Sequence, residues 1–218
     1  MVTNLWESYW SEEENHDWWE KPAREVRDVI QTLSPVTHSR VLDLGCGLGR
    51  HSVALAQAGY VVTATDASET AMTHLRCWAG RLGITILSRV CDVLEQPFDP
   101  ESFDVVIGYN VIYHGTRECM AKAIEHVWTL LRPGGLFFFT CPTREDGKYG
   151  HGDLIAAHTY AATKSIIPGD VHYFASREDL DALLAVYRLL SIHKDEGYWM
   201  NKGERQFFSN WQVLAEKR

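Results

Sequence analysis

The strongest constraint on the fold is a strand, a glycine-rich turn and a helix that follow one another directly. Residues 40–44 (Arg-Val-Leu-Asp-Leu) predict a strand, glycines then occupy positions 45, 47 and 49, and residues 50–56 predict a helix. Glycine is needed where a chain turns sharply and a ligand lies against bare backbone, because a Cβ would fill the ligand's space. The segment therefore predicts a ligand site between a strand and a helix.

The spacing of the glycines argues against a dinucleotide site. A dinucleotide fingerprint, G-x-G-x-x-G, requires glycine where this chain has Arg50, and the third glycine comes one residue early, at Gly49. Asp66 ends the next β-branched strand, about 20 residues beyond the glycines, where a carboxylate can accept hydrogen bonds from both hydroxyls of a ribose. The alternative is that Asp66 caps the next helix, with Ser68 and Glu69 close by.

The size and composition are typical of one globular α/β domain. The 218 residues are 45% hydrophobic and 23% charged, without the run of about 18 apolar residues that predicts a membrane span. The first residues lack the basic and apolar regions of a signal peptide. The five cysteines never have C-x-x-C spacing, which favours reduced thiols over disulfides or a zinc site. We therefore expect a cytoplasmic protein.

The net charge of −8 argues against a nucleic-acid partner. Phosphate binding needs a clustered basic face, and the sequence has no cluster of lysine and arginine. We expect no nucleic-acid or membrane partner, and either a monomer or a homodimer.

Strands and helices alternate along most of the chain. Apolar periodicity predicts strands at 40–44, 60–66, 84–90, 103–109 and 135–141, separated by helices at 49–58, 68–82 and 117–131. Residues 142–170 predict an irregular stretch. A capping box at 176–179 predicts a further helix, and residues 188–195 and 205–215 predict two last strands with a long connection. The expected fold is α/β: a doubly wound, Rossmann-like, seven-stranded sheet, mostly parallel with a terminal antiparallel strand.

Taken in order, residues 36–142 resemble the class I S-adenosylmethionine-dependent methyltransferases. The first motif is G-x-G-x-G preceded by Asp43, and residues 90–93 (Val-Cys-Asp-Val) match an acidic position after the third strand. Residues 103–114 match the fourth strand and its loop, and residues 131–135 (Leu-Arg-Pro-Gly-Gly) match the turn before the fifth strand. The resemblance implies methyl transfer with S-adenosylmethionine as the cofactor.

The resemblance also implies the cofactor contacts, which are Asp43, Gly45, Cys46, Gly47, Gly49, Asp66, Ala67, Asp92, Val93 and Asn110. Asp92 is expected to meet the adenine amino group and the Val93 amide to meet the ring, although Asp92 also suits a plain turn. Asn110 is expected where the methionine part and the acceptor meet, at the carboxyl end of a strand.

The acceptor is expected to be a small molecule. The Asn/Asp-Pro-Pro-Tyr/Phe tetrapeptide of amino-group methyltransferases is replaced by Asn-Val-Ile-Tyr at residues 110–113, and no Pro-Cys pair follows the fourth strand. These departures oppose DNA bases and protein amides as acceptors. Residues 59–66 and 206–217 are similar to small bacterial methyltransferases of the tellurite-resistance and thiol-methylating groups, which implies methylation at O, N or S of a small molecule.

Histidines are the candidate catalytic residues. A base is needed only when the acceptor's proton leaves around the time of attack. His114 is the best candidate base, although it also suits a hydrogen-bonded loop histidine, and His172 is the second candidate. Other residues expected near the acceptor are Tyr113, Tyr149 and His151. No two of these histidines have metal-ligand spacing on one helix face, so no metal is inferred. Because none is an unambiguous catalyst, a non-catalytic module that senses the cofactor or activates a partner remains the alternative.

The first 35 residues are expected to form an aromatic lid segment and a helix, followed by the methyltransferase domain at 36–218. Residues 21–33 predict an amphipathic helix. The side chains expected to close over the site are Tyr9, Trp10, Trp18 and Trp19. The alternative is that these aromatic side chains pack the first helix into the core.

Overall fold

The helices and strands are described from a computed structural model, which describes residues 2–12, 19–201 and 203–218. The helices are α1 (Val2–Trp10), α2 (Arg24–Thr32), α3 (Arg50–Gln57), α4 (Glu69–Leu82), α5 (Arg117–Leu130) and α6 (Arg177–Leu183). The strands are β1 (Arg40–Leu44), β2 (Val61–Asp66), β3 (Leu87–Val90), β4 (Phe103–Gly108), β5 (Leu131–Pro142), β6 (Gly152–Ala156), β7 (Thr159–Ala162), β8 (Asp170–Tyr173), β9 (Tyr187–Asn201) and β10 (Glu204–Lys217). Within these residues, no helix is both long and apolar enough to cross a membrane.

In the described part of the chain, seven strands form one sheet in the order β3-β2-β1-β4-β5-β10-β9. The strands from β3 to β5 run parallel, and β10 runs antiparallel to both β5 and β9. The prediction of a mostly parallel sheet with an antiparallel strand near one edge is therefore confirmed. The order reverses between β1 and β4, and ligands of open α/β sheets bind outside the carboxyl ends of the strands at such a point.

Both faces of the sheet are covered, because its central strands are apolar on both sides. Every residue of β4 is buried. On one face, Phe137 and Phe139 pack with the apolar side of α5. On the other face, Val105 and Phe138 pack with Val26 of α2. Helix α2 thus belongs to the core packing, whereas α1 contributes to a separate, smaller cluster.

A second, three-stranded antiparallel sheet, β6-β7-β8, lies within the stretch expected to be irregular. The expectation of an irregular stretch at residues 142–170 is therefore wrong for residues 152–162, which form β6 and β7, and for Asp170, which begins β8. The turn between β6 and β7 consists of Ala157 and His158, and His158 has a left-handed φ of +54°. Tight hairpin turns usually carry glycine or asparagine at such positions, so the sequence held no recognisable signal for this hairpin.

The last two strands form one long hairpin instead of two short strands with a long connection. Strand β9 continues to Asn201 and β10 begins at Glu204, and these two residues pair. Gly197 was expected in the connection but lies opposite Phe208, whose ring would stand 2.8 Å from a Cβ at that position. The glycine makes room for an aromatic ring on the neighbouring strand and does not end the strand.

Candidate active site

A cavity of about 580 Å³ lies at the carboxyl ends of β1, β2 and β4. Its volume is in the range of sites for small ligands and cofactors. Most residues expected to contact the cofactor line this cavity: Gly45, Cys46, Gly47, Asp66, Ala67, Asp92, Val93 and Asn110. The sheet topology thus brings four separate loops to one edge. Asp43 and Gly49 are not part of the cavity wall.

The glycine-rich loop makes a tight turn beneath the cavity. Gly47 has a φ of +55°, and a Cβ at this position would stand 3.0 Å from Cζ2 of Trp10. Gly49 has a φ of +90° at the start of α3, where a Cβ would lie 2.3 Å from Leu75. Both positions therefore require glycine for the backbone conformation and for space.

Asp66 holds the glycine-rich loop and faces the cavity. Its Oδ2 accepts a hydrogen bond from the backbone N–H of Gly47 at 2.8 Å, and its Oδ1 accepts one from that of Ser68 at 3.0 Å. The N-cap of α4 is Ser68, whose hydroxyl accepts a hydrogen bond from the backbone N–H of Ala71. Asp66 is therefore not the helix cap. Burial raises the pKa of its carboxyl group.

Asp43 lies under the loop instead of in the cavity wall. It is 1% exposed, and its Oδ2 accepts a hydrogen bond from the hydroxyl of Ser52 at 2.5 Å. Burial raises the pKa of Asp43 to about 6. The carboxyl group thus ties β1 to the first turn of α3, which supports the loop from below.

Asp92 forms the turn after β3 and also lines the cavity. Its Oδ1 accepts a hydrogen bond from the backbone N–H of Leu94 at 2.9 Å. Val93 and Leu94 form the adjoining part of the wall. Asp92 therefore both forms the turn and lines the cavity. Its contact with adenine remains a prediction.

Asn110 adopts an uncommon backbone conformation at the carboxyl end of β4. Its φ is +55°, in the left-handed region that asparagine tolerates better than most residues. The hydroxyl of Thr140 accepts a hydrogen bond from its backbone N–H and donates one to its Oδ1, both at 2.9 Å. These bonds fix Asn110 to β5 at the edge of the cavity.

Backbone pairing attaches the loop after β4 to strand β8. The backbone N–H of Gly115 donates a hydrogen bond to the carbonyl of Val171 at 2.8 Å, and an isolated bridge joins His114 to His172. The small sheet therefore closes one end of the cavity. It also brings together two histidines that are far apart in sequence.

His114, Asp170 and His172 form a compact cluster in the cavity wall. Nδ1 of His114 lies 2.9 Å, and Nε2 of His172 lies 3.0 Å, from Oδ2 of Asp170. Nε2 of His114 lies 3.1 Å from the carbonyl oxygen of Asn110. Asp170 was not among the site residues expected from the sequence. Its spacing from His172 was the available signal, because alternate residues of a strand share one face.

Burial and proximity set the charges of this cluster. Burial alone would raise the pKa of Asp170, but attraction to His114 and His172 outweighs burial and holds this pKa well below its usual range. Burial lowers the pKa of His172 to about 4, against the opposing effect of its hydrogen bond to Asp170. Near neutral pH, Asp170 is therefore a carboxylate and the ring of His172 is neutral. Burial also keeps the pKa of the adjacent Tyr113 phenol well above its usual value.

Helix α1 lies over the glycine-rich loop. Trp6 and Trp10 line the cavity. The carboxylate of Glu7 accepts hydrogen bonds from the hydroxyls of Ser68 and Thr70 at the start of α4, and these bonds lower the pKa of Glu7. This attachment holds the two tryptophans over the cavity.

The other residues of the expected lid have different places. Trp19 lines the cavity, and the guanidinium carbon of Arg50 lies 4.6 Å from its ring centroid. Tyr9 is not part of the wall, and its hydroxyl accepts a hydrogen bond from Nε1 of Trp19 at 3.0 Å. Trp18 lies outside the described residues.

Tyr149 and His151 lie away from the cavity, so their expected place near the acceptor is corrected. The hydroxyl of Tyr149 lies 2.7 Å from Nδ1 of His158, and Nε2 of the exposed His151 lies 3.1 Å from Nζ of Lys164. The small sheet explains this arrangement. Strand β6 is largely exposed, and only the end of the small sheet at β8 reaches the cavity.

The cavity wall contains a second polar group that was not expected from the sequence; its members are Glu25, Arg50, His51 and Tyr109. The hydroxyl of Tyr109 donates a hydrogen bond to Oε2 of Glu25 at 3.2 Å. Nε2 of His51 accepts one from the backbone N–H of Ala23, and burial lowers the pKa of His51 well below its usual range. The first turn of α3 follows the glycine loop, which was a usable signal for two of these residues.

Comparison with known proteins points to one family. A family model described as a methyltransferase domain matches residues 41–135, from β1 into β5. The chain is 30% identical over 170 residues to a ubiquinone biosynthesis O-methyltransferase of Paraburkholderia phymatum. That match covers 73% of this chain and 71% of the relative.

Solved structures share the fold. TehB from Haemophilus influenzae aligns with a TM-score of 0.69 at 21% identity, over 90% of this chain but only 63% of TehB. The 1,6-didemethyltoxoflavin-N1-methyltransferase of Burkholderia thailandensis, with bound 1,6-didemethyltoxoflavin and S-adenosylhomocysteine, aligns with a TM-score of 0.68 at 20% identity. This second match covers 99% of this chain and 86% of that enzyme.

Proposed function

The chain belongs to the class I S-adenosylmethionine-dependent methyltransferases, and we propose that its acceptor is a small organic molecule methylated at oxygen, nitrogen or sulfur. One observation carries this proposal. A single cavity of about 580 Å³ joins the glycine-rich loop to the cluster of His114, Asp170 and His172. A cavity of this size suits a small acceptor beside the cofactor, which favours a small molecule over a polymer.

The glycine-rich end of the cavity fits S-adenosylmethionine. Gly45 and Gly47 form part of the cavity wall, and a Cβ at either position would clash with Val111 or Trp10. We assign the adjoining space to the methionine part. The carboxylate of Asp66 faces the cavity and suits the ribose hydroxyls. The turn at Asp92 and Val93 then flanks the adenine. When bound, the cofactor supplies an electrophilic sulfonium methyl group.

The chain contributes mainly alignment and exclusion of water. Trp6 and Trp10 cover the cavity, and their rings suit a sulfonium cation. Both ring nitrogens of His114 lie beside protein oxygen atoms, Nδ1 beside the carboxylate of Asp170 and Nε2 beside the carbonyl of Asn110. We therefore propose that His114 and His172 act on the acceptor as one group with Asp170, and not as isolated bases.

The direct test of this function is transfer of a tritiated methyl group to a panel of phenols, aromatic amines and thiols. We expect a labelled small product whose formation depends on the acceptor. Label that appears only in nucleic acid or protein would contradict the small-molecule assignment. Tight S-adenosylhomocysteine binding without transfer to any acceptor would instead favour a cofactor sensor.

Removal of residues 1–20 is expected to leave a folded domain whose affinity for S-adenosylmethionine falls about 10-fold, because each aromatic contact to its sulfonium cation contributes about 0.5–2 kcal/mol. Circular dichroism and calorimetric titration measure the two effects. Trp10→Ala in the full chain is the matched variant, since it removes one ring and keeps the segment. If the truncated chain unfolds, the tryptophans are core residues; if its affinity is unchanged, α1 is not a lid.

A further inference from the structure

We propose that His114, Asp170 and His172 bind one divalent transition-metal ion, and that this ion holds an oxygen atom of the acceptor. The second half of this inference rests on the proposed function; the first half does not. Two imidazoles and one carboxylate are a ligand set used for zinc and its first-row neighbours, with positions left open for substrate. The sequence alone does not indicate this ligand set, because His114 lies in the loop after β4 whereas Asp170 and His172 lie in β8.

The positions of the three ligand atoms suit one ion. They all lie within 4.8 Å of one another. The separations of 2.9 Å and 3.0 Å to Oδ2 of Asp170 match those of neighbouring ligands on one ion, about 3 Å for bonds of about 2.1 Å. Since the cluster lines the cavity, an ion there is reachable by the acceptor.

The surroundings of His114 are those of a metal-binding histidine. Its Nε2 faces the carbonyl of Asn110 at 3.1 Å, and a carbonyl can only accept, so this nitrogen carries the proton. A hydrogen bond from the other ring nitrogen to a carbonyl commonly orients a metal-ligating imidazole. Nδ1 lies 2.9 Å from the carboxylate of Asp170 and has no hydrogen-bond partner among the described residues. In the metal-bound state, the ion takes the place of a proton between Nδ1 and this carboxylate.

The rest of the cluster has further unsatisfied polar atoms. Oδ1 of Asp170 and Nδ1 of His172 are buried and have no hydrogen-bond partner in the described part of the chain. Asp170 is 0% and His172 is 2% exposed. Buried polar groups are rarely left unpaired. A metal ion on this carboxylate lies beside Oδ1 of Asp170 and supplies its missing partner, whereas Nδ1 of His172 is not a ligand, because Nε2 is the ring atom beside Asp170.

An ion at this position favours an oxygen acceptor with an acidic hydroxyl, such as a phenol or catechol. A bound cation lowers the pKa of a hydroxyl, so its proton leaves to solvent without a free base. The oxygen then forms a bond to the methyl carbon while the carbon–sulfur bond breaks. The electron pair of that bond stays on sulfur, and S-adenosylhomocysteine leaves as a neutral thioether.

Metal binding is tested by adding CoCl₂ to the chelator-treated full chain and following the visible absorption of the bound ion, with ZnCl₂ as competitor. We expect one ion per chain and a loss of affinity of at least about 100-fold in His172→Ala and Asp170→Asn. His38→Ala is the control for adventitious binding to a surface histidine and should bind as the unaltered chain does. S-adenosylhomocysteine affinity shows that each variant is folded.

Absence of a bound ion, or equal affinity in His172→Ala and the unaltered chain, would overturn the metal site. The role of the ion is then tested with a phenolic acceptor, for which we expect activity to be lost on chelation and restored by Zn²⁺ or Co²⁺. Equal rates with and without metal would reject that role and leave the proposed function intact. Binding of both metal and cofactor without methylation of any acceptor would reject the proposed function and keep the metal site.

Discussion

Asp66→Ala is expected to weaken S-adenosylhomocysteine binding about 10²- to 10⁴-fold, since two hydrogen bonds to a carboxylate contribute about 1.5–3 kcal/mol each. The carboxylate accepts one backbone hydrogen bond per oxygen, from Gly47 and Ser68, and lines the cavity. Each oxygen retains a lone pair for a ribose hydroxyl. The substitution also frees the glycine-rich loop, which adds to the loss.

Calorimetric titration measures this effect, and Glu69→Ala is the matched control. Glu69 is close in sequence, has the same charge and forms a surface ion pair with Arg76, so its loss should leave the affinity unchanged. Asp66→Asn separates the two roles, because the amide oxygen retains one acceptor while the charge is lost. An unchanged dissociation constant in Asp66→Ala would reduce the role of Asp66 to support of the loop.

The cofactor half of the site was largely predictable, because its signals are local. The glycines at 45, 47 and 49 specify a tight turn by their spacing alone, and Asp66 follows at the end of the next strand. Even here, local sequence patterns do not show whether a residue lines the cavity or lies beneath the loop. Asp43 belongs to the same motif, yet it lies under the loop, because strand residues alternate between faces and Ser52 of α3 satisfies its carboxylate.

The acceptor half was predictable only in part, because it depends on long-range pairing. His114 and His172 were both candidates, but nothing local indicated that β8 would pair with the loop after β4. The hairpin that delivers β8 turns at His158, in a conformation usually occupied by glycine or asparagine. Because the sequence does not predict that hairpin, it does not place Asp170 beside the two histidines. It therefore does not predict a ligand site shared by the histidines.

His114→Ala and His172→Ala are each expected to lower turnover about 10²- to 10⁴-fold with an oxygen acceptor, since a bound cation contributes several kcal/mol to transition-state stabilisation. Cofactor affinity should change little, because Asp66 and the glycine-rich loop belong to other segments. The double variant should be no slower than the slower single variant. Once one histidine is replaced and the ion is lost, the other histidine has no ion to bind. The effects of the two substitutions on turnover are therefore not additive.

Single-turnover rates and S-adenosylhomocysteine titrations of the two single variants, the double variant and His38→Ala measure this prediction. His38 precedes β1, at the opposite end of that strand from the cavity, and should tolerate alanine. Effects that multiply would mean that the two histidines act independently. A loss confined to one histidine would assign it the role of a general base. If neither substitution slows any reaction, alignment alone accounts for the rate, and a soft nucleophile such as a thiolate becomes the better acceptor, because it needs neither a base nor a metal ion.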